Sequence, residues 1–114
     1  MADNIIYIDA DEGAKRVMNN TKLYSRLLVK FKDDQSMSEL DTAFSAGDTE
    51  AAKNFAHAIK GLAANLSLLE LFNQSLEIET QLKSGVFNPD QMTILKKVYA
   101  KTMEEAEKVI AKYA

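Results

Sequence analysis

Four glycines and one proline in 114 residues leave this chain almost without punctuation, so most of it is free to run as helix. Apolar residues recur at spacings of three and four over long stretches, and no run alternates with period two for any useful length. These features predict an all-α fold. At 114 residues the chain makes one domain, 1–114, with a single core and no room for a second catalytic lobe.

Residues 3–18 read as an entry segment, in which Ile5, Ile6 and Ile8 precede Asp9, the cap of a short helix over Asp11 to Met18. The acidic start of Asp3, Asp9, Asp11 and Glu12 solvates and caps rather than binding metal. A second helix is predicted from about Thr21 to Ser45, with Leu23, Leu27, Phe31, Met37, Leu40 and Phe44 inward and Gly47 past its end. Asp48 caps a third helix, from Thr49 to about Ser67, and Glu50 in its first turn suits the helix dipole. One helix from Thr49 to Lys83 would reach about 50 Å at 1.5 Å per residue. That is too long for this domain, so a bend is expected near Ser67 to Leu69. The fourth helix then covers about Glu70 to Lys83, with Phe72, Leu76, Ile78 and Leu82 inward and Gly85 as a left-handed cap. Asn88 caps the fifth, Pro89 takes its first position and Gln91 can close a capping box. Met92, Leu95, Tyr99, Met103, Ala106, Ile110 and Tyr113 recur along it. Short connections force antiparallel neighbours, so the expected architecture is an antiparallel up-down four-helix bundle with a short additional N-terminal helix.

A net charge of −3 and no basic run longer than Lys96-Lys97 argue against a nucleic-acid or anionic-membrane partner, and a protein partner is expected instead. The absence of cysteine excludes disulfides and thiolate metal sites and suits the reducing cytosol. No apolar run approaches the roughly 20 residues that span a bilayer, and the start MADNIIYIDADEG lacks the layout of a signal peptide. A cytoplasmic location is expected, either as a standalone protein, which the MADN start suits, or as an excised domain of a larger kinase.

The sole histidine, His57, carries the chemical signal. At about 100° per residue, Phe55, Ile59, Leu62, Leu66 and Leu69 fall within about 40° of one direction, and His57 lies about 160–200° from it. Its imidazole should therefore face water. Lys53 and Lys60, each about one turn away, can offer charge-assisted hydrogen bonds to a phosphoryl group on that ring. Near pH 7 most of an unperturbed imidazole is uncharged and nucleophilic. Gly61 inside a helix costs roughly 1 kcal/mol relative to alanine, which clearance for an approaching protein would offset. Ala64 extends this bare strip, and Leu68 is a candidate apolar docking contact at its far end or, equally, a residue that closes the bundle at the bend. One histidine and no cysteine leave a zinc site short of its preferred ligands, so no metal site is expected.

The pattern His57-x-x-Lys60-Gly61, followed by Ala63-Ala64-Asn65-Leu66, resembles the histidine-containing phosphotransfer (HPt) domain of multistep two-component signalling. IDADEGAKRV is similar to that family's opening segment, LYSRLLVKF to its second helix and SAGDTEAAKNFAH to its approach to the histidine. Many members have glycine where this chain has Ser67, and a basic residue before the histidine, a role left here to Lys53. The resemblance implies that His57 relays a phosphoryl group between aspartates of response-regulator receiver domains, fed by a hybrid sensor histidine kinase. On this reading Lys60 and Lys53 are the candidate phosphate-stabilising residues, and Gly61, Ala64 and Leu68 the candidate docking residues. The chain has no Gly-rich phosphate loop and no receiver strands, so it is expected to be a phosphoryl carrier without kinase activity of its own. It needs no cofactor, with magnesium held by the partner, and acts as a monomer. The alternative is a non-catalytic helical adaptor or inhibitor that docks on a kinase or receiver and needs neither His57 nor Lys60.

Overall fold

The computed structural model describes residues 5–113, and Asp3 lies outside them. Six helices follow in order: α1 (Ala10–Arg16), α2 (Thr21–Lys32), α3 (Ser36–Ser45), α4 (Thr49–Leu66), α5 (Leu69–Lys83) and α6 (Pro89–Tyr113). No strand occurs among the described residues. Helices α3, α4, α5 and α6 pack in chain order, α2 returns against α6, and α1 lies across α2 and α4. This is the expected antiparallel bundle with an added N-terminal helix, except that its first long helix is broken in two.

The break falls at Asp33 to Gln35, where the sequence reading expects uninterrupted helix. Two aspartates at the C-terminal end of α2 oppose its dipole, and Asp34 does better by turning to the next helix. Its Oδ1 accepts the Ser36 N–H at 2.8 Å. With the helix broken, α2 leans on α6, where Phe31 meets Tyr99 at 5.7 Å between ring centroids. Helix α3 stays on α4. A groove is left between α2 and α4, lined by Val17, Leu27, Phe31, Leu62, Asn65 and Leu66.

The buried face of α4 is Ala52, Ala56, Ile59, Ala63 and Leu66. It is rotated by about 60° from the stripe read off the larger apolar residues. Phe55 and Leu62 are only half-buried and Leu69 is exposed. The alanines face inward because helices approach more closely over small side chains, a preference that hydrophobic size conceals. On α5 the buried face is Leu71, Ser75, Ile78 and Leu82, with Glu79 beside them. Leu76, expected inside, is 42 % exposed because it does not share the three-and-four spacing of that set.

The α4–α5 bend lies at Ser67, whose φ of 58° and ψ of 42° are left-handed. Glycine would suit that conformation better. The serine is held there by its surroundings. Its Oγ donates to Glu12 Oε1 at 2.5 Å, and its carbonyl accepts the Asp9 N–H at 3.0 Å. The Leu69 N–H donates to the Tyr7 carbonyl at 2.9 Å, and the buried Tyr24 hydroxyl donates to the Leu66 carbonyl at 2.6 Å. Residues 7–12 thus form a clamp across the bend. Its caps elsewhere follow expectation: Asp9 and Asp48 accept backbone N–H groups, and Gly85 is left-handed at φ 76°. Asn88 Oδ1 accepts from the Asp90 and Gln91 amides, but Gln91 closes no capping box. Its side chain reaches instead to Gln74 Oε1 on α5, at 2.6 Å.

Candidate functional site

His57 stands near the middle of α4 with 67 % of its side chain exposed, outside the bundle as expected. Because the buried face is rotated towards the alanines, His57 lies about 140° from its centre and Lys60 only about 80°. Both side chains therefore lean towards α5, and there they meet Glu79.

Glu79 is the functional side chain that the sequence reading missed. It is 3 % exposed. Its Oε2 lies 2.8 Å from His57 Nδ1, and its Oε1 lies 2.7 Å from Lys60 Nζ. Lys83, one turn further along α5, places its ammonium 3.8 Å from Oε2. Burial works to raise the carboxyl's pKa, but Lys60, His57 and Lys83 together hold it below its ordinary value. The group is thus an anion at neutral pH. An anionic carboxylate only accepts, so the Nδ1–H of the imidazole donates to it, and the Nε2 lone pair is left facing water. Such a ring is a nucleophile with its tautomer set. When Nε2 attacks an electrophile, the positive charge that develops on the ring lies beside a fixed carboxylate. The sequence signal for Glu79 was its place directly after Ile78 and three before Leu82, on a face that otherwise excludes charge.

The two expected phosphate-holding lysines stand differently. Lys60 is beside His57 but only 21 % exposed, and its ammonium is engaged with Glu79. Lys53 turns to Glu50 in its own helix, 3.3 Å away. Gly61 meets the expectation of open ground, since a Cβ built there has nothing within 4 Å. Ala64 is half-buried and lines a shallow cleft with Ser67, Phe72 and Asn73. Leu68 corrects the reading: it is wholly buried, closes the core under the bend, and offers no surface to a partner. On α5, Phe72 is half-buried in that same cleft and Leu76 is exposed.

A bundle of this topology, with a nucleophilic imidazole proud of its third long segment, defines a class of phosphoryl-carrying helical proteins. The Hpt domain family model matches residues 27–108, from within α2 to within α6, and the chain belongs to that family, the histidine phosphotransfer domains of two-component phosphorelays. No curated protein and no solved structure matches it. No helix among the described residues is long and apolar enough to cross a membrane.

Proposed function

We propose that His57 accepts a phosphoryl group from an aspartyl phosphate of one receiver domain and passes it to the aspartate of another. The observation that carries this reading is the 2.8 Å contact between Nδ1 of an exposed imidazole and a buried carboxylate. The Nε2 lone pair attacks phosphorus, an N–P bond forms, and the P–O bond to the aspartate breaks with its electron pair going to the released carboxylate. Nδ1 keeps its proton throughout, shared with Glu79. Such in-line transfer depends on positioning and charge. Lys60 keeps Glu79 ionised and adds positive charge near the phosphoryl site; Lys53, one turn before His57, adds a weaker contribution from its pair with Glu50.

Receivers would dock on the outer ridge of α4 around Gly61 and Ala64, with apolar contacts available in the α2–α4 groove and on Phe72 and Leu76. The same face serves donor and acceptor in turn, which favours a small transient contact, below about 1,200 Å². Magnesium would sit on the partner's carboxylates, and the chain would work as a cytoplasmic monomer between a hybrid sensor kinase and a response regulator. An adaptor that only docks would have use for the bare strip but none for a carboxylate buried under the imidazole. Incubation with a phosphorylated receiver domain tests the reading: wild type should take up label and His57→Gln should not. Equal labelling of both would refute it, and full biological function in His57→Ala would favour the adaptor.

A further inference from the structure

Two lysine ammoniums and the His57 imidazole surround Glu79, and they are not equivalent. Lys60 places its ammonium 2.7 Å from Oε1, a buried oxygen that no hydrogen bond satisfies, so its departure would leave that oxygen with no counter-charge in the interior. His57 holds Oε2 through Nδ1. Lys83 approaches that same Oε2 at 3.8 Å, outside hydrogen-bonding range, with 61 % of its side chain exposed. Its departure strands nothing, because Oε2 keeps the imidazole. Oε2 is also the oxygen nearer the ring, so the ammonium already stands on the imidazole's side of the carboxylate.

Resting on the reading that His57 is phosphorylated, we propose that Lys83 of α5 is the mobile counter-cation of the phosphohistidine, leaving Glu79 for the phosphoryl oxygens once His57 is loaded. Loading places a phosphoryl group with close to two negative charges on Nε2, while the ring, keeping its Nδ1 proton, becomes cationic beside Glu79. The carboxylate then has Lys60 and the charged ring, and the field on Lys83 turns towards the new group. The flexible four-carbon stem allows the move without disturbing α5. Lys83 crosses as an intact ammonium, with no proton exchanged. The other ammoniums on this side already have partners: Lys60 on Glu79, and Lys53 on Glu50 of its own helix. The second cation of the site thus comes from α5, whereas the sequence alone points to Lys53 on α4.

The test loads the full chain with phosphoramidate, a small phosphodonor that needs no receiver, and follows the phosphorus resonance of the phosphohistidine against pH. A nearby cation favours the doubly charged phosphoryl form. Lys83→Gln should therefore raise the midpoint of that titration by about 0.5, a roughly threefold gain in proton affinity expected for losing one exposed charge contact. Lys83→Arg should restore it. An unmoved midpoint in Lys83→Gln, or an equal rise in Lys53→Gln, would overturn the assignment. Wild-type protein that takes no phosphoryl group on His57 would sink the phosphohistidine reading, and this inference with it.

Discussion

Glu79 shows how one residue can be chemically central and still hard to find in a sequence. Its signal is a carboxylate on an apolar face, and such a residue is usually solvated. What decides its role is a partner 22 residues away on another helix. His57, Lys60 and Gly61 were legible because they share one helix, where angle and spacing follow directly from residue number. The depressed pKa of Glu79 makes its role measurable. A carboxyl held below its ordinary value contributes stability that is fully present above that value and lost as pH falls through the folded one. Wild type should therefore exceed Glu79→Gln in urea unfolding at neutral pH, and the gap should close below about pH 4.5, the carboxyl's ordinary value. The same variant should load from a phosphorylated receiver about tenfold more slowly, since one missing charge beside the ring is worth about one pKa unit. Unchanged loading would mean that the contact with His57 is incidental.

Among the elements, those with terminal signals were legible and those decided by packing were not. Asp9, Asp48, Gly85 and Asn88 mark helix ends in the sequence as they do in the structure. The break after α2 has neither glycine nor proline, and only the adjacent Asp33 and Asp34 hint at it. The buried face of α4 is hidden in the sequence for another physical reason: alanines contribute little hydrophobicity but allow the closest helix approach. Helix α1 depends on one position in the same way. A Cβ at Gly13 would lie 2.4 Å from the Tyr24 ring, whose hydroxyl is anchored on Leu66 at the end of α4. Gly13→Ala should consequently destabilise the protein by about 1–3 kcal/mol, the usual cost of overpacking. Chemical denaturation would measure it, and amide exchange at Ser67 to Leu69 should quicken as the clamp lifts. If protection there is unaltered, residues 7–12 do not hold the bend.

At the scale of the whole molecule, the proposed function asks the bundle to keep one helix ridge low and one ring proud of it. Gly61 separates these two demands. With nothing within 4 Å of an added Cβ, Gly61→Gln should fold and gain about 1 kcal/mol of helix stability. Exchange with a receiver domain should fall by about tenfold or more, the order expected when reacting groups are held slightly out of place, while loading from phosphoramidate stays the same. Equal rates with receivers would show that the ridge needs no clearance. The family match begins at residue 27 and so leaves out α1 and the clamp, yet these secure the turn into the helix that carries Glu79.

The hydrogen bond from Nδ1 to Glu79 has a last consequence for traffic through the relay. In the proposed exchange the ring begins and ends with the same proton on the same nitrogen, so forward and reverse passages cross a common barrier. A full turnover returns the carrier unchanged, so it adds nothing to the net free energy of passage between the two aspartates. Flow would be governed by which aspartate is being replenished and which is being drained, and a cell could run the same molecule backwards to discharge its regulator when the upstream supply stops.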